Sequence, residues 1–173
     1  MLLLVRMSLT LIVSFFRSRI SVVDETVTSH RVWFNDSDIY RHLNNGRYLS
    51  VMDLGRLDLF VRMGLLRPVL RRKWYPVVGS ATIRFVRSID LLQRYQIRTR
   101  TVCWDEKWFF IEQRFEREGR LMAVGLVKGV FLGPEGKISP AQLVGLAGNG
   151  LPSPPMPDRI RAWADSDSAG SRL

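Results

Sequence analysis

The sequence predicts an α+β domain in which a curved antiparallel sheet of about five strands wraps around one long buried helix. Three observations carry this. Residues 44–66 place apolar side chains around most of a helix's circumference, which describes a buried helix. Four later runs alternate apolar and polar residues at period two. The breaks between the last of them, Asp105-Glu106 and Glu118-Gly119, are short enough for hairpins.

The elements follow in order. An apolar stretch to Phe16, closed by Arg17 and Arg19, predicts an N-terminal helix in residues 1–20. It lacks the basic start and small-residue cleavage site of a signal peptide, Arg6 interrupts it, and it is shorter than the ~20 residues of a membrane span. Its first expected berth is the body of its own domain or a partner subunit; the second is peripheral contact with a membrane through residues 1–19. Thr26–Phe34, rich in β-branched and aromatic residues, predicts a strand. The central helix follows, with Asn44 or Asn45 suited to cap it and Gly64 near its end. Its charges Asp53, Arg56, Asp58 and Arg62 must face a partner, an edge or one another. The meander strands are expected at 75–87, 95–104, 107–118 and 121–132. Four of the eight prolines lie in 152–157, ahead of a Ser/Asp-rich end, so the folded domain (21–148) is expected to give way to a flexible tail over 149–173.

Composition narrows the chemistry. Of 173 residues, 46% are hydrophobic and 24% charged, ordinary globular values that exclude collagen-like and wholly disordered chains. One cysteine, Cys103, excludes an intrachain disulfide and a multi-cysteine zinc site, and with two histidines, His30 and His42, a metal centre would have to rest largely on carboxylates; no metal is expected. The net charge of +10 rests on 22 arginines against 4 lysines. Arginine's planar fork suits phosphate and carboxylate, so the partners it points to are a phosphorylated small ligand or an acidic surface. No helix-turn-helix, finger or RNA-recognition signature is present, and no nucleic-acid partner is expected.

The densest polar cluster runs from Asn35 to Tyr48, at the junction of the first strand and the buried helix. It puts Asp36, Asp38, His42, Asn44 and Asn45 just before a helix start, where unpaired N–H groups and the positive end of the dipole favour anions. A carboxylate beside such an oxyanion site is the minimum equipment for hydrolysing an activated acyl group. Caps and turns use the same residue types, so spacing alone leaves both readings open. A calcium loop starting at Asp36 is excluded by Arg41 and Arg47 at its sixth and twelfth places. An aspartyl phosphatase would need parallel units that the chain lacks.

Val32, Asp36, Asp38, His42, Asn44, Asn45 and Tyr48 together resemble the pattern of the hotdog-fold acyl-CoA thioesterases of the 4-hydroxybenzoyl-CoA thioesterase type. The likeness covers about residues 25–145. The run Trp74-Tyr75-Pro76-Val77-Val78-Gly79 is similar to a branch that carries an apolar N-terminal helix. The resemblance implies a hotdog fold and hydrolysis of an acyl-CoA to a free acid and coenzyme A, with no cofactor beyond the coenzyme A of the substrate. It implies Asp38 as nucleophile or general base, the Asn45 backbone N–H polarising the carbonyl, and His42 and Asn44 shaping the loop. Tyr48 would pack on the acyl pocket, Arg84 and Arg87 would meet CoA phosphates, and Asp36 would be structural. The chain departs from many relatives at Arg41, Ser88 and Gln93-Arg94. A hydratase on the same fold would space its Asp and His five apart; Asp38 and His42 are four apart. The alternative is a non-catalytic acyl-CoA or lipid-binding protein on the membrane. An open sheet edge predicts a homo-oligomer, dimer or tetramer, and the expected location is cytoplasmic, with peripheral membrane contact as its variant.

Overall fold

A computed structural model describes residues 3–148 and 150–170. Helix α1 (Leu3–Phe15) precedes strand β1 (Glu25–Arg31) and the central helix α2 (Asn45–Arg62). A short helix α3 (Leu66–Arg71) leads into the meander β2 (Tyr75–Phe85), β3 (Arg94–Trp104), β4 (Phe109–Arg117) and β5 (Arg120–Gly133). The chain ends in β6 (Gly136–Ile138), α4 (Pro140–Leu146) and α5 (Asp158–Gly170). All pairings are antiparallel, in the order β1-β3-β4-β5-β2, and β6 folds back on the end of β5. This is the hotdog fold that the sequence predicts.

The sheet curls because its strands are bulged. Register shifts fall between Val78 and Ser80, between Thr101 and Cys103, and between Phe115 and Glu116. Each bends its strand and adds twist. At the first, Gly79 is needed for space, since a Cβ there would stand 2.5 Å from the Trp108 ring. Helix α2 fills the concave side, and Tyr48, Val51, Met52 and Leu54 join Val32, Ile97 and Phe115 in the main core. The helix can lie this close because residue 55 is glycine: a Cβ would fall 2.8 Å from Gln113 Nε2 and closer still to Thr99 Oγ1. Gln113, wholly buried, donates to the Met52 carbonyl (2.9 Å) and to Thr99 Oγ1 (3.0 Å), and accepts from Arg56 (2.7 Å). No buried side-chain polar atom lacks a partner among the described residues.

Helix α1 docks on its own domain, with Leu3 and Met7 against the main core and several of its polar side chains also turned inward. Arg6 donates to Asp36 (2.8 Å), Ser14 to Asp58 (2.6 Å), and Arg17 to both Asp58 (2.8 Å) and the Val27 carbonyl on β1 (3.0 Å). Asp58, 1% exposed, also accepts from Thr26, and Arg62 lies 3.9 Å away. The charges of α2 therefore face α1 and one another, with Asp53 held by Arg56. No helix among the described residues is long and apolar enough to cross a membrane.

The expected flexible tail is corrected. Residues 151–157 form an irregular link, with Ser153 Oγ accepting from the Trp104 N–H (2.9 Å), and α5 then packs on the outer face of the sheet. Ile160 is fully buried with Cys103 and Phe110, and the Trp163 ring meets Phe110 edge-on. Arg159 pairs with Glu112 (2.6 Å) and Lys128 with Asp167. Ile160, Trp163 and Ala164 form an i, i+3, i+4 stripe that supplies enough apolar surface to dock a helix whose average composition is polar. Asn149 and residues 171–173 of the expected tail, and residues 1–2 of the N-terminal segment, lie outside the described residues.

Candidate active site

After β1, a single 3-10 turn at Phe34–Asp36 redirects the chain toward α2. The Asp36 side chain turns inward, 3% exposed, where it accepts from the Trp33 N–H (3.2 Å) and from Arg6. The next residues close a narrow hairpin. Asn44 N–H donates to the Asp36 carbonyl (2.8 Å), Ser37 pairs with Leu43, and Asp38 N–H donates to the His42 carbonyl (2.9 Å). Arg41 takes a left-handed conformation (φ 63°) to complete the tip, a backbone geometry that side-chain-bearing residues seldom adopt.

Asp38 stands at that tip, half-buried. Its Oδ1 accepts two main-chain donors, Tyr40 N–H (2.9 Å) and His42 N–H (3.0 Å). The carboxylate is thus oriented by its own loop. Asn44 caps α2, its Oδ1 accepting from Gly46 N–H (2.9 Å), and Asn45 is the first helical residue. An N–H at that position has no intrahelical acceptor and sits at the positive end of the helix. Asp38 and Asn45 accordingly belong to opposite arms of one short hairpin, Asp38 near its tip and Asn45 just past its base, the first half-buried and the second exposed.

The other expected site residues are placed differently. The His42 ring faces Asp90 in the β2–β3 connection (Nε2 to Oδ1 3.6 Å), so among the described contacts His42 reaches Asp38 through its main chain alone. Tyr48 is buried core, edge-on to Phe85 (5.0 Å between ring centres) and 4.8 Å from Phe115, and burial pushes its phenol up to about 12. Arg84 is exposed on β2; Arg87, just past its end, is exposed and donates to the Leu121 carbonyl (3.1 Å).

Beneath the C-terminal half of α2 lies an apolar cavity of about 260 Å³. Leu57, Phe60 and Met63 of the helix, Val77 of β2, Ile111 of β4 and Phe131 of β5 are among its walls. The polar members of its lining are Asp53, Arg56 and Thr101. None of Asp38, His42, Asn44, Asn45, Tyr48, Arg84 or Arg87 lines it.

Near the same loop, His30 is held among Arg6, Asp58 and Tyr95, with Nε2 2.8 Å from Thr28 Oγ1. Burial first, and the Arg6 guanidinium second, lower its pKa to about 4, against a smaller opposite pull from Asp58. Because the folded ring resists protonation, its contribution to stability is complete above the ordinary value of 6.5 and is lost as pH falls from there through about 4. The full loss is up to about 3 kcal/mol. Urea unfolding across this range should show a steeper acid loss for the wild type than for His30→Gln.

The sequence pattern of the Thioesterase-like superfamily matches residues 32–164. The chain belongs to that family. A protein named THEM6 from Danio rerio is 41% identical over 109 residues, covering 62% of this chain and 54% of the relative. A probable thioesterase from Saccharomyces cerevisiae is 32% identical over 82 residues, covering 46% of this chain and 35% of the relative. The chain thus spans about half the length of the first of these relatives and about a third of the second. Among solved structures, a 4-hydroxybenzoyl-CoA thioesterase mutant in complex with 4-hydroxybenzoyl-CoA superposes with a TM-score of 0.63 at 19% identity, covering 71% of this chain and 98% of that one. That likeness supports the hotdog fold.

Proposed function

We propose that the chain hydrolyses acyl-CoA thioesters, releasing a free carboxylic acid and coenzyme A. The observation that carries this reading is the Asp38 carboxylate, fixed by two main-chain N–H donors on the hairpin that ends at the unpaired N–H of Asn45. A thioester bound there has its carbonyl oxygen at the Asn45 N–H and its carbon within reach of Asp38. As a base, Asp38 takes a proton from water while the water oxygen bonds to the carbonyl carbon; the C–S bond then breaks and the CoA sulfur leaves with the electron pair and is protonated. As a nucleophile, Asp38 displaces the thiolate to give an anhydride that water then cleaves. Negative charge develops on the carbonyl oxygen by either route, where the helix start stabilises it. Arg84 and Arg87, exposed and cationic, are suited to the CoA phosphates.

A second copy completes the site. β2 is a long edge strand with Tyr75, Val78 and Phe85 exposed, a surface that monomers seldom leave unpaired. Two-fold antiparallel pairing of β2 edges brings the Tyr75–Val78 end of one copy beside the Phe85 end of the other. Phe85 packs on Tyr48 in the first turn of α2, and Val77 and Val78 wall the apolar cavity. The helix start of one copy therefore faces the cavity of its partner. A 150 Å³ cavity holds benzene, roughly 25 Å³ per carbon, so 260 Å³ accommodates about ten carbons of an unbranched acyl chain. The test is thiol release by the full chain from a graded series of straight-chain acyl-CoAs. The expected optimum lies near the medium-length esters and moves to shorter ones in Leu57→Trp. Absence of hydrolysis across the series overturns the reading.

A further inference from the structure

Helix α1 packs Leu3 and Met7 inward but leaves most of its apolar side chains outward. It turns Arg6, Ser14 and Arg17 to the body and leaves Leu4, Leu9, Ile12, Val13 and Phe16 in its outward face and end, with Leu4 76% and Phe16 88% exposed. Contiguous apolar surface of this kind marks an interaction site. Beside it runs a groove of about 680 Å³ between α1 and β1, lined by Leu9 and Val13 on one side and by Arg31 and Arg94 on the other. Arg31 and Arg94 are direct partners across β1 and β3, and neither has an acidic partner among the described residues. Two like charges opposite one another on neighbouring strands repel unless an anion lies between them.

We propose that this face seats the protein on an anionic lipid bilayer. The outward side of α1 lies in the interface plane, and the Arg31–Arg94 pair takes a lipid phosphate. A 13-residue helix of about 20 Å, apolar on one side and flanked by cations, has the length and chemistry for lying in a membrane surface rather than crossing it. A second copy is the less suitable occupant, because the chain carries +10 and two such faces would bring their unpaired arginines together. The inference is independent of the proposed hydrolysis.

The experiment is co-flotation of the full chain with phosphatidylcholine vesicles lacking or containing about 30 mol% phosphatidylserine, at moderate salt. The expected result is binding to the anionic vesicles, at least tenfold weaker on the neutral ones. Ile12→Asp with Phe16→Asp should abolish it, and Arg31→Glu with Arg94→Glu should remove the preference for anionic lipid. All these side chains are exposed or line the open groove, so thermal unfolding should be unchanged in both variants. Failure to float with anionic vesicles overturns the proposal, as does flotation that neither variant weakens. Loss of an oligomer in Ile12→Asp/Phe16→Asp without any wild-type flotation overturns it in favour of a second copy.

Discussion

Replacing Asp38 by asparagine is expected to lower kcat for acyl-CoA hydrolysis by about a thousandfold, within the range for loss of a positioned base or nucleophile. The amide keeps the shape of the carboxylate and can still accept from Tyr40 and His42 N–H, so the hairpin should persist and the affinity for coenzyme A should change little. The neighbouring Asp36→Asn should behave in the opposite way. Asp36 is sealed against Arg6, and neutralising it leaves a buried guanidinium without its counter-charge. That variant should lose stability while its folded fraction keeps its turnover. Steady-state kinetics with thermal unfolding on both proteins separates the two roles. Equal kcat in Asp38→Asn and wild type would return the chain to the alternative of a non-catalytic acyl-CoA or lipid-binding protein.

The largest effect on stability is expected at Asp58. This carboxylate accepts from Ser14, Arg17 and Thr26 and faces Arg62, so it joins α1, β1 and α2 at one buried point. Asp58→Asn removes one partner of a buried charge cluster, a change that costs about 3–5 kcal/mol because the cations left behind are uncompensated. For a chain of this size that is roughly 10 °C in Tm. Hydrogen exchange in α1 should rise before exchange in the meander, since α1 is held to the body by this point and by Arg6. Replacing Asp58, Arg17 and Arg62 together by leucine should recover most of the lost stability, because nothing charged then remains buried at the junction.

How much of this was legible in the sequence depends on what each element buries. Helix α2 and strands β2 to β5 were readable because their apolar residues repeat at the period of the element that they form, and the structure places each within a few residues of its expected bounds. The start of α2 was readable from Asn44, whose amide caps it. Helix α5 was not, because the apolar stripe of Ile160, Trp163 and Ala164 follows a proline-rich link and is diluted by serine, aspartate and arginine within the helix. The docking side of α1 was hidden for a different reason: an apolar run suggests an apolar berth, whereas the residues that fix this helix are Arg6, Ser14 and Arg17, whose partners Asp36 and Asp58 lie far along the chain.

The candidate site divides in the same way. The short hairpin that carries Asp38 to the start of α2 could be expected, since the residues that close it are local. The surroundings of Tyr48 and the direction of the His42 ring could not, because they are set by Phe85, Phe115 and Asp90, which other strands and their connections bring in. Tyr48 packs in the core against Phe85 and Phe115 and is not among the residues that line the apolar cavity.

The most direct test is a crystal structure of the full chain with a decanoyl-CoA analogue in which a methylene replaces the thioester sulfur. The predicted result is a carbonyl oxygen accepting from the Asn45 N–H at about 2.9 Å, the Asp38 carboxylate facing the carbonyl carbon, and the acyl chain in the cavity beside Leu57 and Phe131 of a second copy. A carbonyl bound away from the start of α2, with Asp38 out of reach of its carbon, would contradict the account.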